Sequence, residues 1–272
     1  MLFRSAVVVV PEQMQTHRSV FDTSLVSHHG TNPGTATQAD AVKRVIARRA
    51  AMELVPGAAL NFGFGASALV ATMIAERGDR AKYAMTIEQG IHGGDMIDDD
   101  LFGMAHHPDV IIDSPSQFDF YSGGGLDIAF LGMAEMDAQG NVNVSSLNGN
   151  VNGPGGFIDI SQNARKVVFC GTFDAKDSQV TVEEGQLKVQ QHGRIAKLVN
   201  QVAQITFSGE QARKRGQQVL YVTERATFEL TAEGIELIEL APGVDVQKDV
   251  IQRMKFAPVV RDVGTYAPEV MR

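Results

Sequence analysis

Short apolar segments that end at glycines recur along this chain and alternate with segments of helical spacing. The clearest unit has an apolar segment from Ala58 to Phe62, a Gly63-Phe64-Gly65 turn and a helical pattern from Ala66 to Arg77. Two later segments, Val110 to Asp113 and Lys166 to Phe169, have the length and β-branched content of buried strands. Because strands alternate with helices, we expect an α/β fold: a mostly parallel open sheet with helices on both faces.

The pattern changes in the last third of the chain. Residues Val180 to Val189 alternate apolar and polar side chains around a Glu184-Gly185 turn, which predicts a hairpin with one solvated face. Further strands are predicted from Val219 to Thr223 and from Ile235 to Leu240. We therefore expect extra β-hairpins in the carboxyl-terminal part of the fold.

The first forty residues have a different character. Residues 13–38 show no stable periodicity and are rich in Ser, Thr, His, Asn, Pro and Gly, which is typical of an extended arm or linker. Asp40 is then placed to cap a helix that runs to Leu54, with Arg48 and Arg49 predicted to face water. We divide the chain into an arm or linker over residues 1–38 and one domain over residues 39–272.

Charge and cysteine content exclude several classes of protein. Among 272 residues, 24 Lys and Arg face 32 Asp and Glu, a net charge of -8, so no overall positive field attracts nucleic acid or an anionic membrane. No apolar run has the length of a spanning helix, and the amino terminus lacks a signal-peptide core. One cysteine, Cys170, cannot form an internal disulfide, which favours a reducing compartment, the cytoplasm.

Glu88 follows a predicted strand from Tyr83 to Ile87 and precedes Gly90. Ligands of open α/β sheets bind at the carboxyl ends of the strands, and glycines there let a substrate approach the backbone. A carboxylate in this place can act as a base or a nucleophile, although a surface glutamate that starts a turn would give the same pattern.

Two glycine-rich segments offer backbone groups to a ligand. Gly123, Gly124 and Gly125 precede the apolar run from Leu126. Their N–H groups could face a developing oxyanion, or the three glycines could simply form a flexible turn. The segment from Asn61 to Gly65 supplies an amide side chain and a Gly-x-Gly turn at a helix start, suited to the amide or phosphate groups of a cofactor. It lacks the third glycine of the dinucleotide fingerprint.

Acidic and histidine clusters do not match metal-binding spacings. Asp95 and the run from Asp98 to Asp100 fit a solvated acidic loop better than a calcium loop. The histidines occur as adjacent pairs, His28-His29 and His106-His107, rather than at helical ligand spacing. We expect no metal, and the absence of a Gly-x-Ser-x-Gly elbow disfavours a serine hydrolase.

Eight short motifs follow one another from about residue 40 onward. They are Val45-Ile46-Ala47-Arg48-Arg49-Ala50-Ala51, Leu60-Asn61-Phe62-Gly63-Phe64-Gly65, Thr86-Ile87-Glu88-Gln89-Gly90, Gly123-Gly124-Gly125-Leu126-Asp127-Ile128-Ala129-Phe130-Leu131-Gly132, Gly140-Asn141-Val142-Asn143-Val144-Ser145, Gly153-Pro154-Gly155-Gly156-Phe157, Val167-Val168-Phe169-Cys170-Gly171-Thr172-Phe173 and Ala241-Pro242-Gly243-Val244-Asp245. In order and spacing, these motifs together resemble the coenzyme A transferases that use a catalytic glutamate, the acetate, propionate and 3-oxoacid type.

The resemblance implies transfer of coenzyme A from a short acyl-CoA, of acetyl, acetoacetyl or propionyl type, to a carboxylate acceptor. Glu88 would be the nucleophile and would form a glutamyl-CoA thioester, with the amides of Gly123 and Gly124 stabilising the oxyanion. The coenzyme A binding residues would be Asn61, Gly63, Gly65, Gly90 and Gly125. Coenzyme A is then a substrate, and no other cofactor is expected.

The resemblance covers the carboxyl-terminal or β half of such enzymes. It implies that an amino-terminal or α half, or a separate subunit, is a partner and that the assembly is a homo- or hetero-oligomer. The acidic residues Asp95 and Asp98 to Asp100 stand where the resemblance predicts a neutral, glycine-rich stretch, which leaves the substrate open. Two alternatives also remain open: an acyl-CoA hydrolase, in which water reaches the glutamyl intermediate, and a noncatalytic ligand-binding subunit.

Overall fold

The computed structural model describes residues 9–10, 12–28, 40–97, 100–147 and 149–272, and within them the centre of the fold is a ten-stranded sheet. From one edge to the other its strands are Val259–Thr265, Gly234–Leu240, Ala226–Thr231, Gln218–Val222, Lys166–Cys170, Ile128–Gly132, Ala59–Phe62, Ala84–Ile87, Ile91–His92 and Val110–Ile111. The five strands from Gln218–Val222 to Ala84–Ile87 run parallel. Antiparallel neighbours extend the sheet on both sides, so the predicted mostly parallel open sheet is confirmed.

Smaller sheets and hairpins surround this centre. They pair Asp95–Met96 with Ala105–His106, Glu135–Asp137 with Val142–Asn143 and Leu198–Val199, Ser146–Leu147 with Asn150–Val151, Asp174–Ala175 with Ile195–Ala196, and Gln179–Glu183 with Gln186–Gln191. The last of these is the predicted hairpin around Glu184-Gly185.

Helices cover both faces of the sheet. The α-helices are Ala41–Ala50, Leu69–Glu76, Ser114–Phe120, Phe157–Asn163 and Gly209–Arg215, and the shorter 3-10 or π segments are Thr23–Leu25, Ala51–Glu53, Gly65–Ser67, Arg80–Lys82, Tyr121–Gly125, Val246–Val250, Ile251–Arg253 and Pro268–Met271. Successive strand residues point to opposite faces. Phe130 packs in a core cluster with the first two α-helices, whereas Ala129 and Leu131 pack in a second cluster with the later ones.

Two local predictions are wrong. Arg49 is 6% exposed rather than solvated, because its guanidinium is paired with the carboxylates of Glu53 and Glu239. The segment from Val110 is a two-residue strand at the edge of the sheet, with Val110 and Ile111 exposed, rather than the buried strand that its apolar run suggests. Both errors come from long-range contacts that residue periodicity does not encode.

The described part of the predicted arm lies against the domain. The backbone N–H of His107 donates to the Ser24 carbonyl at 2.6 Å, and the Ser24 hydroxyl is 2.7 Å from His106 Nδ1. Residues 29–39 lie outside the described residues, so the division at residue 38 stays a prediction. Among the described helices, none is long and apolar enough to cross a membrane.

Candidate active site

The predicted site residues lie at the carboxyl edge of the parallel strands. The chain runs from the strand Ala59–Phe62 to Ala84–Ile87 on one side, and later places Ile128–Gly132 on the other side. A reversal of this kind is the switch point at which open α/β sheets bind ligands in a crevice beyond the strand ends. Asn61 lies on the central strand of the three, and Glu88 directly follows the neighbouring strand.

The structure brings Glu88 and Asn61 into contact. The Nδ2 atom of Asn61 donates to Glu88 Oε2 at 3.3 Å and also to the hydroxyl of Tyr121 at 3.1 Å. The Tyr121 hydroxyl is 2.8 Å from Thr86 Oγ1. Asn61, Thr86 and Tyr121 are fully buried, whereas Glu88 is half-buried. The carboxylate is therefore the solvent-facing end of a buried hydrogen-bonded chain.

The surroundings of Glu88 favour a reactive carboxylate. Burial raises the pKa of Glu88, while hydrogen bonds from its own backbone N–H, from Asn61 and from Gln89 oppose that shift. Burial also raises the pKa of Tyr121 to about 12, so the phenol stays neutral. A partly desolvated carboxylate that keeps hydrogen-bond donors can act as a nucleophile or as a general base.

One helix connects Glu88 with the glycine triple. The Ser114 hydroxyl, at the start of the helix Ser114–Phe120, donates to the Glu88 carbonyl at 3.1 Å. The helix continues into the π segment Tyr121–Gly125, whose first residue contacts Asn61. The backbone leaves helical geometry within the glycine triple, at Gly124, whose φ is +87°. The triple ends before the strand Ile128–Gly132 begins, and Gly123 and Gly124 are exposed.

The remaining predicted residues line the same edge. The Gly63 N–H donates to the Phe130 carbonyl at 2.7 Å, and Gly65 has a φ of +89° at the start of a 3-10 turn. Between them, the Phe64 ring is 65% exposed. Gly90 has a φ of +105°, and a Cβ atom there would overlap the carbonyl oxygen of Ile112, so the turn after Glu88 requires glycine.

Sequence reasoning missed Tyr121 and Thr86. The sequence could have indicated Thr86, because it lies two positions before Glu88 and points to the same face of the strand. Tyr121 lies two residues before Gly123 and directly follows the helix Ser114–Phe120, which the sequence analysis did not predict. Its contact with Asn61 depends on how that helix packs, which no local pattern reveals.

No group of three or more His, Cys, Asp or Glu side chains within the described part of the chain could hold a metal ion. Asp95 is paired with Arg80, and Asp100 lies 2.6 Å from His17 Nε2. His29, Asp98 and Asp99 lie outside the described residues. Cys170 is free and buried, which raises its pKa to about 12.

Known coenzyme A transferases are similar to this chain. It is 43% identical over 218 residues to the acetate CoA-transferase YdiF of Escherichia coli strain K12, an overlap of 80% of this chain and 41% of that protein. It is 44% identical over 223 residues to the caffeate CoA-transferase of Acetobacterium woodii, covering 80% of this chain and 42% of that protein. It therefore spans about two fifths of the length of these two relatives.

The third relative has a length close to that of this chain. It is a subunit of the 3-oxoadipate CoA-transferase of Pseudomonas putida, 25% identical over 232 residues, which are 79% of this chain and 95% of that relative. Among solved structures, a thioester complex of YdiF from Escherichia coli O157:H7 with CoA superposes with a TM-score of 0.88 and 36% identity, over 97% of this chain and 49% of that one. No model of a known protein family matches the chain.

Proposed function

Because this chain is homologous to coenzyme A transferases, we propose that it carries the nucleophile of an acyl-CoA:carboxylate CoA-transferase. The observation that carries the proposal is the half-buried Glu88 carboxylate, which accepts a hydrogen bond from Asn61 at the carboxyl edge of the parallel strands. The matching relatives act, by their names, on acetate and on caffeate. Short acyl groups of the acetyl, acetoacetyl or propionyl type remain our substrate proposal for this chain.

In the proposed reaction, a Glu88 oxygen attacks the thioester carbonyl of the acyl-CoA, the C–S bond breaks and CoA leaves as a thiolate. The product is an acyl-glutamyl anhydride. The thiolate then attacks the glutamyl carbonyl and releases the first carboxylate, which leaves a glutamyl-CoA thioester. The acceptor carboxylate attacks this thioester to form a second anhydride, and the thiolate attacks its acyl carbonyl. Acyl-CoA is formed and Glu88 is regenerated.

The other residues at this edge have supporting roles in the proposal. The N–H groups of Gly123 and Gly124 stabilise the tetrahedral oxyanion, an effect of about 3 kcal/mol for one donor. Asn61, Gly63, Gly65, Gly90 and Gly125 bind coenzyme A, which is a substrate. The buried Oδ1 of Asn61 has no hydrogen-bond partner among the described residues, so an N–H group of a ligand would satisfy it.

We also propose that the complete site takes residues from a further segment. Two of the relatives extend well beyond the part that this chain matches, and another relative is named as a subunit. The segment would be an amino-terminal or α half, on the same chain or on a partner, and the assembly would be an oligomer. A cytoplasmic location remains a prediction from the single, free cysteine.

Intact-mass measurement after brief exposure to acetoacetyl-CoA tests the nucleophile. The unmodified chain, alone or mixed with the corresponding other half of a relative, should gain a CoA-sized adduct that hydroxylamine removes. Glu88→Gln should gain none, because the amide cannot form the anhydride. Glu210→Gln, which changes an exposed glutamate paired with Lys214, is the matched control and should behave like the unmodified chain. The assignment would be overturned by an equal adduct on Glu88→Gln. It would also be overturned if the unmodified chain gained no adduct either alone or mixed with the other half.

Acceptor dependence separates the transferase from the hydrolase alternative. A transferase consumes acyl-CoA in proportion to an added carboxylate, whereas a hydrolase releases free CoA without one. A noncatalytic subunit would bind acyl-CoA and show neither reaction.

A further inference from the structure

The hydrogen bonds beneath Glu88 have a fixed direction. The Thr86 hydroxyl donates its single proton to the Leu60 carbonyl at 2.7 Å. In its contact of 2.8 Å with Tyr121, Thr86 Oγ1 must therefore accept, and the Tyr121 O–H is the donor. The phenol oxygen retains only its lone pairs for other neighbours.

This direction determines how the Asn61 amide is oriented. Asn61 has two neighbours on its amide nitrogen side, the Tyr121 oxygen at 3.1 Å and Glu88 Oε2 at 3.3 Å, and both can only accept. The NH₂ group satisfies both of them with its two protons. A reversed amide would turn Oδ1 toward two acceptors inside a fully buried region, which is strongly unfavourable.

We infer that Tyr121 is a positioning residue: by accepting from Asn61, its hydroxyl keeps the Asn61 N–H directed at the Glu88 carboxylate. The inference rests on the proposed role of Glu88 as nucleophile. Tyr121 does not touch the reacting atoms in this scheme and acts through Asn61. Since the Asn61 N–H stabilises the ionised carboxylate, loss of the Tyr121 hydroxyl should favour protonated Glu88.

The neighbours of Glu88 make this effect measurable. In the described part of the chain, its titration depends on burial and on donors from its own backbone, from Asn61 and from Gln89. Tyr121 is the titratable neighbour behind Asn61 and stays neutral. A further titratable side chain, His92, contacts the helix Ser114–Phe120: its Nε2 lies 2.5 Å from Oε1 of the fully buried Gln117.

The primary test is the titration of Glu88 itself, which needs no turnover. Glutamate labelled with carbon-13 at the side-chain carboxyl is introduced into the full chain, and the Glu88 signal is identified by its loss in Glu88→Gln. In Tyr121→Phe the midpoint should move to higher pH. Tyr221→Phe is the matched control, because Tyr221 is equally buried and donates to the Gly140 carbonyl at 2.6 Å, away from Glu88. It should leave the midpoint unchanged.

Variants of Thr86 provide a second test on a separate residue. Thr86→Val removes the acceptor for the Tyr121 O–H, which becomes free to donate to a reversed Asn61 amide, so the Glu88 midpoint should again rise. Thr86→Ser keeps the hydroxyl and should titrate like the unmodified chain. This pair keeps the inference testable if Tyr121→Phe does not fold.

Adduct formation with acetoacetyl-CoA gives an independent readout. Tyr121→Phe should form the glutamyl adduct more slowly than the unmodified chain at about pH 6, and the two rates should converge at about pH 9, where both carboxylates are ionised. An unchanged Glu88 midpoint in both Tyr121→Phe and Thr86→Val would overturn the inference, as would an equal shift in Tyr221→Phe. A shifted midpoint without any adduct on the unmodified chain would instead count against the proposed transferase and leave the positioning role intact.

Discussion

The side-chain amide of Asn61 donates to the carboxylate of Glu88 across the boundary between two parallel strands. The Nδ2 to Oε2 distance is 3.3 Å, and Asn61 pairs in the sheet with Thr86, two residues before Glu88. The contact thus follows from strand register, because residues two apart on a strand point to the same side. It joins a nucleophile candidate to the strand at the switch point of the sheet.

Replacing the Asn61 donor by a second carboxylate should reduce the reactivity of Glu88 as a nucleophile, most strongly at low pH. In Asn61→Asp a like charge faces Glu88, which raises the pKa of Glu88 further and lowers its ionised fraction. Adduct formation with acetoacetyl-CoA should fall roughly tenfold near neutral pH and recover as the pH rises. Asn152→Asp places the same charge at an exposed position and should have the unmodified rate. A loss in Asn61→Asp that is equal at every pH would contradict this explanation.

The turn after Glu88 should not tolerate a side chain at Gly90. Its φ of +105° disfavours any L residue, and a Cβ atom would overlap the Ile112 carbonyl oxygen. Gly90→Ala should lower the free energy of unfolding by about 2–4 kcal/mol. Gly57→Ala is the control: its φ is +87° but nothing lies within 4 Å of the added atom, so backbone strain alone should cost about 1 kcal/mol. Urea titration of both variants measures the difference, and equal losses would refute the overlap.

The parallel centre of the fold and the position of Glu88 are predictable from the sequence because both depend on local patterns. The sequence predicts the strand Ala84–Ile87 as residues 83–87, and a glutamate between a strand end and a glycine marks the ligand edge of a parallel sheet. Asn61 and Gly63 follow from the same rule on the neighbouring strand. Resemblance to a known family then adds roles that position alone leaves open.

Contacts between distant segments are what the sequence does not reveal. Arg49 has the periodicity of a solvated residue, yet it is buried by a carboxylate 190 residues away, Glu239. The strand Ala226–Thr231, which pairs with Gln218–Val222, is also not predicted. Tyr121 is missed for the same reason, since only the packing of its helix brings the phenol to Asn61.

The fully buried Arg225 should be among the most destabilising positions to truncate. Its guanidinium lies 2.8 Å from Asp174 Oδ2 and 3.1 Å from Glu224 Oε1, and its carbon Cζ is 4.8 Å from the centre of the Phe173 ring. Arg225→Met leaves these buried carboxylates without their cation, which should lower the free energy of unfolding by about 3–5 kcal/mol.

Exposure and pH provide the controls for this prediction. Arg261 also pairs with two glutamates, but its side chain is 51% exposed, so Arg261→Met should cost less than about 1 kcal/mol. Burial already raises the pKa of Glu224, and loss of Arg225 raises it further. Protonation of Glu224 then stabilises the folded variant. The difference in free energy of unfolding between the unmodified chain and Arg225→Met should therefore shrink as the pH falls from 7 toward 5. Urea titrations at both pH values test this prediction. A difference in free energy of unfolding that grows on acidification would contradict it.

Glu53 should make the stability of the fold depend on pH at the acid end. Burial opposes its ionisation, but hydrogen bonds and attraction from Lys166 and Arg49 outweigh that effect and lower the pKa of Glu53. A carboxylate with a depressed folded-state pKa stabilises the fold above the unfolded value of about 4.3. That contribution is lost as the pH falls through the folded-state pKa.

Glu53→Gln should therefore be less stable than the unmodified chain by about 2 kcal/mol at neutral pH, the scale of a hydrogen bond to a charged group. The difference should disappear on acidification, because the unmodified chain loses the same charge. Thermal or urea unfolding of both proteins between about pH 7 and pH 3 gives the comparison. Glu210→Gln, at an exposed pair with Lys214, should have the same stability as the unmodified chain throughout. A difference between Glu53→Gln and the unmodified chain that stays constant over this range would show that Glu53 acts through packing rather than charge.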